Sequence, residues 1–327
     1  MSQVRIDPPA SPVPSSRLSR RSWIQNQAFG AAAASCTLAS LGNALAIDNA
    51  AAPIPSLSPN NADAGFRVRN GRIRQSIMGW TYNPMPVPEL ARLCRDIGLV
   101  AMEGVDPKFY PEIRELGLEI SLVGSHGFAK GPCNRANHPE VLQRLREGIE
   151  LAARIGCRRV ITFTGMREPG LDKETGASNC VEAWKQVISL AERNQVFLCL
   201  EHLNSRDNSH PMKGHPGYFG DDVDFCADLI HRVGSPNMKL LFDIYHVQIM
   251  NGDVIRRLRQ YKDIIGHIHT AGVPGRGELD DQQEINYPAV MRAILDIGYT
   301  GFVAQEFLPT WPDRALALRH AANVCDV

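Results

Sequence analysis

Four residues in the second half of the chain carry the types of side chain that do chemistry, and each closes a short apolar run. Glu201 follows Val-Phe-Leu-Cys-Leu, Asp243 follows Lys-Leu-Leu-Phe, His269 follows Ile-Gly-His-Ile and Glu306 follows Gly-Phe-Val-Ala-Gln. Any one of them alone has a plainer use, since an acid at a strand end often caps the next helix and a single His is usually a hydrogen-bonded core residue. Brought together, three carboxylates and an imidazole repel unless something positive sits among them. A divalent cation meets that need. The mainly oxygen set suits Mn²⁺ or Mg²⁺, with Co²⁺ or Zn²⁺ tolerated by the imidazole.

Such residues converge only if the elements ending in them share one face. From residue 71 onward, apolar runs rich in β-branched residues alternate with longer amphipathic segments. Eight runs read as strands: Arg72–Met78, Leu99–Gly104, Leu118–Val123, Arg159–Thr164, Val196–Glu201, Lys239–Asp243, Ile264–His269 and Gly301–Glu306. Helical patterns lie between them at Pro88–Ile97, Pro139–Ile155, Cys180–Asn194, Asp221–Val233 and Tyr287–Ile297, several ending at a glycine such as Gly98 or Gly156. Eight alternations in about 250 residues are the arithmetic of an α/β (β/α)₈ TIM barrel, whose strand ends meet at one mouth. An open doubly wound sheet would show a glycine-rich phosphate loop after its first strand, and none follows Met78.

The amino-terminal 46 residues are of a different kind. Arg20 and Arg21 precede an Ala-rich apolar stretch from Ala28 to Leu41, and Ala44-Leu45-Ala46 has the small-x-small form of a cleavage site. This resembles a twin-arginine export signal and implies a periplasmic or other extracytoplasmic location. The stretch is too short and too interrupted for a stable membrane span. Residues 47–70, Pro-, Ala- and Ser-rich in their first part, are expected to be a linker, and 71–327 the barrel. The whole chain of 327 residues has 35 basic and 35 acidic side chains; without the four Arg and one Asp of residues 1–46, 31 basic face 34 acidic. That balance disfavours a nucleic-acid partner and leaves a small-molecule substrate. Homo-oligomerisation stays open. Seven of the eight cysteines lie beyond residue 46, show no CxxC spacing, and most read as small buried residues.

The stretches Leu200-Glu201-His202-Leu203-Asn204, Phe242-Asp243-Ile244-Tyr245-His246, Gly266-His267-Ile268-His269, Val273-Pro274-Gly275-Arg276, Glu284-Ile285-Asn286-Tyr287-Pro288 and Gln305-Glu306-Phe307 together resemble the hydroxypyruvate isomerase branch of the xylose-isomerase-like barrels. That superfamily also holds the ketose 3-epimerases. The resemblance implies that Glu201 and Glu306 are a metal-bridging acid and base pair, that Asp243 and His269 complete the metal site, and that His246 lies near substrate oxygens. At His269 the chain departs from the isomerase branch, which usually carries Gln, and agrees with the epimerases, so the substrate stays open between the two.

The implied chemistry suits these residues. Moving a carbonyl to the neighbouring carbon takes a proton from one carbon and returns it next door through an enediolate, with the ion supplying Lewis-acid catalysis and a Glu moving the proton. The expected reaction is hydroxypyruvate to tartronate semialdehyde, an aldose-ketose type isomerisation. A substrate carboxylate would need a cation, for which Arg276 is the best candidate, its plainer reading being a salt bridge to Glu278 or Asp280. Asp207 beside Arg206 is a further candidate polar contact, and His126, after the third strand, stands at the correct face. Trp80, Tyr82 and Phe219 could wall the pocket. Two other classes stay open: a non-catalytic exported sugar-binding barrel, and a metal-dependent endonuclease, which would want more His ligands and a basic groove.

Overall fold

The structure, a computed structural model, describes residues 62–327; the expected leader and most of the expected linker lie outside the described residues. The chain forms eight parallel strands, β1 (Arg74–Met78), β2 (Ala101–Glu103), β3 (Glu119–Ile120), β4 (Arg159–Thr162), β5 (Phe197–Glu201), β6 (Met238–Asp243), β7 (Ile265–Thr270) and β8 (Phe302–Gln305). Their order in the sheet is β3-β2-β1-β8-β7-β6-β5-β4. One further bridge between Val123 and Val160 joins the two ends, with Val123 N donating to Arg159 O at 2.9 Å and Ile161 N to Val123 O at 3.0 Å. The sheet is therefore closed into a (β/α)₈ barrel. Among the described residues, no helix is long and apolar enough to cross a membrane.

The helices that cover the sheet follow from its sequence punctuation. α1 (Val87–Ile97) and α3 (His138–Ile155) carry Pro in their first turn and end on Gly98 and Gly156, whose φ values of 94° and 74° are the left-handed caps that favour glycine. The segment expected as one helix from Cys180 to Asn194 is two, α4 (Lys173–Lys185) and α5 (Ile188–Arg193), with α2 (Tyr110–Glu115) earlier in the chain. Asp172 sets the earlier start of α4, its side chain accepting from Glu174 N and Thr175 N. Then come α6 (Val223–Val233), α7 (Ile244–Met250), α8 (Val254–Gln260), α9 (Tyr287–Asp296) and α10 (Arg314–Cys325).

Residues 62–70, expected as linker, are instead held on the barrel. Phe66 is buried in the core, Val68 N donates to Ile97 O at 2.8 Å, and the Asp326 carboxylate accepts from the backbone N–H groups of Arg69, Asn70 and Gly71.

Two layers of core follow from the period-2 alternation of strands. The larger lies between sheet and helices, while Leu122, Ile161, Cys199 and Leu241 form a small separate cluster inside the barrel. The same alternation that turns Cys199 and Leu241 inward turns Glu201 and Asp243 inward two residues later. On β7 the register slips: Leu240 pairs with Ile265, but Leu241 pairs with His267 and Asp243 with His269. Gly266 is the extra residue, and a Cβ there would lie 2.7 Å from Lys239 Cβ and 3.0 Å from Cys199 Sγ. This bulge sets His267 and His269 in line with the inward residues of β6. Gly266→Ala is expected to destabilise the fold by about 1–3 kcal/mol through overpacking, seen as a lowered melting temperature.

Candidate active site

The four strand-end residues meet. One donor atom from each of Glu201, Asp243, His269 and Glu306 lies within 4.8 Å of all the others, and all four side chains are buried. Glu201 ends β5 and Glu306 directly follows β8, three strands apart around the barrel, with Asp243 and His269 on the two strands between them. His269 Nδ1 is 2.8 Å from Glu306 Oε2 and 3.3 Å from Glu201 Oε1. Asp243 serves two ends at once. Its Oδ1 accepts from Tyr245 N at 2.8 Å and His246 N at 3.3 Å, capping α7, while the same carboxylate belongs to the cluster.

The electrostatics call for positive charge at the centre. Glu201 Oε1, Glu306 Oε2 and His269 Nδ1 are buried and make no well-directed hydrogen bond, only close charged contacts with one another and, for Glu306, with Arg276. Burial, reinforced by the charge of Glu306, pushes the Asp243 carboxyl up to about 8, and burial likewise raises Glu201. Burial acts the same way on Glu306, but Arg276 and His269 outweigh it and hold that carboxyl down at about 2. For His269 burial favours the neutral ring, yet the charge of Glu306 and the hydrogen-bonding carboxylates around it draw a proton on, well above the usual imidazole range. Three carboxylates balanced by one guanidinium and a borrowed proton are a fit for a divalent cation, and the oxygen-rich donor set is the kind such ions take.

Above the cluster opens a cavity of about 410 Å³ whose lining includes both Glu201 and Glu306. Its walls are largely apolar, from Trp80, Phe128, Ile161, Phe163, Leu203 and Met212. Arg276, buried in the loop after β7, is the one cation among the lining residues. Its Nη2 is 2.7 Å from Glu306 Oε2 and its Nη1 donates to Met212 O at 2.6 Å, while Nε has no partner. The alternative salt bridge to Glu278 or Asp280 is not formed. The Glu278 carboxylate instead accepts from the backbone N–H groups of Thr310 and Trp311.

Three expected substrate contacts stand elsewhere or in other roles. His246 is fully buried and outside the cavity lining; its Nδ1 accepts from Asn204 N at 3.0 Å, which leaves the proton on Nε2, 3.6 Å from Asp243 Oδ2. It therefore backs Asp243. Asp207 also lies outside the lining, its carboxylate accepting from Ser209 N and Oγ as a loop turn. His126 lines the cavity, but both ring nitrogens are engaged: Nδ1 is 3.1 Å from the carbonyls of Gly127 and Lys130, and Nε2 2.9 Å from Thr162 Oγ1. It is a wall with no free polar atom. Of the aromatic candidates, Trp80 lines the cavity, whereas Tyr82 and Phe219 are core. Sequence reading passed over His215, which lines the cavity with its ring against Phe128 at 4.1 Å, and Glu103, which ends β2 as the other acids end their strands.

A closed eight-stranded barrel with this cluster is matched by the model of the xylose isomerase-like TIM barrel family over residues 79–324. The chain belongs to that family. A putative hydroxypyruvate isomerase of Drosophila melanogaster is 37% identical over 242 residues, which cover 70% of this chain and 89% of the relative. A 2-oxo-tetronate isomerase of Cupriavidus necator is 32% identical over 186 residues, covering 57% and 67%. Among solved structures, an L-ribulose 3-epimerase superposes with a TM-score of 0.65 at 21% identity, over 77% of this chain and 92% of that one. This xylose isomerase-like barrel is an isomerase, and it has a buried carboxylate and histidine cluster that could hold a metal.

Proposed function

We propose that this isomerase moves a carbonyl between neighbouring carbons of a small 2-oxo or 2-hydroxy acid, hydroxypyruvate to tartronate semialdehyde being the first candidate. The observation that carries the reading is that Glu201 and Glu306 reach one cavity floor from opposite sides of Asp243 and His269, with a single cation, Arg276, beside them. A divalent ion held by Glu201, Asp243, His269 and Glu306, Mn²⁺ or Mg²⁺ before Co²⁺ or Zn²⁺, would supply positive charge to the substrate's adjacent carbonyl and hydroxyl oxygens. One glutamate then takes the proton from the hydroxyl-bearing carbon and the other, protonated, returns one to the former carbonyl carbon, while the hydroxyl proton crosses between the two oxygens; exchange of protons with solvent restores both glutamates before the next turnover. Arg276, with Nε free, would hold the carboxylate.

A ketose 3-epimerase uses the same pair of glutamates, and His269 favours it, because the epimerases carry His at that place. The test is deuterium uptake from solvent by the Mn²⁺-loaded protein, with hydroxypyruvate first and a ketose second. Uptake into hydroxypyruvate with release of tartronate semialdehyde supports the isomerase. Preference for the ketose moves the chain to the epimerases, and no exchange on any substrate leaves a sugar-binding barrel.

A further inference from the structure

The ring of His269 has carboxylates on both sides. In front, Nδ1 faces Glu306 Oε2 and Glu201 Oε1; behind, Nε2 is hydrogen-bonded to Glu103 Oε1 at 2.8 Å. Glu103 is fully buried and has no Lys or Arg partner among the described residues. Its other oxygen, Oε2, accepts from Ser121 Oγ at 2.5 Å and lies 2.8 Å from His267 Nε2. Such a carboxylate, deep in a barrel and held at both oxygens, has no contact with the cavity.

A neutral imidazole has one N–H and one lone pair, and only the nitrogen with the lone pair can bind a cation. A carboxylate oxygen accepts and cannot donate, so Oε1 of Glu103 requires the proton on Nε2. In the neutral ring that a bound cation requires, where the ion replaces the second proton, the lone pair then falls on Nδ1, the atom that faces Glu201 and Glu306. We propose that Glu103 is a positioning residue: it fixes the tautomer and the tilt of His269 so that Nδ1 is presented to the metal, while Ser121 locks the Glu103 carboxylate. This inference rests on the metal site of the proposed function. It also accounts for a buried acid that nothing else in the barrel mouth uses. The competing arrangement is a second ion held by Glu103, His267 and His269, whose donor atoms also lie within 4.8 Å of one another; there His269 Nε2 would carry no proton.

The test combines calorimetric titration with Mn²⁺ and nitrogen NMR of ¹⁵N-histidine protein loaded with Mg²⁺. Wild type is expected to bind one ion per chain and to show the His269 proton on Nε2, shifted downfield by its charged acceptor. Glu103→Gln should weaken Mn²⁺ binding about 10- to 100-fold and move that proton upfield, with the melting temperature of the metal-free protein little changed. Ser121→Ala should shift both readouts in the same direction by less, and it carries the test together with the wild-type spectrum if Glu103→Gln does not fold. A proton on Nδ1, two ions per chain, or unchanged Mn²⁺ affinity in Glu103→Gln would overturn the role of Glu103 while leaving the metal site standing. Failure of wild type to bind either ion would remove the metal site itself.

Discussion

Glu201→Gln and Glu306→Gln are each expected to lower turnover by about 10²- to 10⁴-fold, the usual contribution of a positioned general acid or base. The amide keeps the length of the side chain and one oxygen for the ion, and it cannot accept the substrate proton. Metal content should therefore fall only in part. The two variants should also differ. Glu306 is paired with Arg276 at 2.7 Å, so its replacement frees the guanidinium as well, whereas Glu201 has no such partner. Substrate affinity should move more in Glu306→Gln than in Glu201→Gln. Deuterium exchange and metal content measured on the same samples decide the matter. Normal exchange in both variants would take these residues out of the mechanism, and loss of metal before loss of turnover would make them purely structural.

The barrel was legible because its strands announce themselves twice, by apolar runs and by what ends them. Each of the last four strands has an ionisable residue at or within one residue of its end, and position at a strand end is the property that brings distant residues to one mouth. β3 was less legible. Its apolar run extends to Val123, but regular pairing stops at Ile120 and only the bridge at Val123 reaches β4. Contacts that depend on chain closure left no local trace. The Asp326 carboxylate that holds residues 69–71 is some 255 positions away, and Phe66 sits in a segment with no period to mark it as core.

The site divided along the same line. Residue types at strand ends could be read, while loop side chains could not, because their direction is set by hydrogen bonds between segments. His246 lies three residues after Asp243, and the Asn204 backbone turns its ring behind that carboxylate and away from the cavity. Arg276 could be placed near the mouth, yet its partner proved to be Glu306 because Thr310 and Trp311 had already engaged Glu278. Glu103 obeys the strand-end rule as well as Glu201 does. Its run is followed by Gly104 and stands apart from the four acid- and His-ended runs of the second half, so no local signal marks it.

Asp243 allows metal binding to be separated from folding, because its cap on α7 needs only an oxygen whereas the cluster uses its charge. Asp243→Ala removes the cap on α7, at about 1 kcal/mol, together with the carboxylate's place in the cluster. Asp243→Asn keeps an oxygen for Tyr245 N and His246 N and removes only the charge. Both should lose most of their bound Mn²⁺. In the wild type, free Mn²⁺ at a thousandfold excess over its dissociation constant should add about 4 kcal/mol of stability, and most of that gain should vanish in Asp243→Asn. Without metal the order changes. The Asp243 carboxyl is raised to about 8 in the folded chain, against about 3.9 when unfolded, so between these values the folded state holds the extra proton and stability falls as pH rises. The metal-free wild type should then melt lower at pH 8 than at pH 5, and Asp243→Asn should lose part of that slope. Mn²⁺ should abolish the slope in the wild type and leave the variant unchanged. An equal Mn²⁺-induced rise in melting temperature for wild type and Asp243→Asn would place the ion away from this carboxylate.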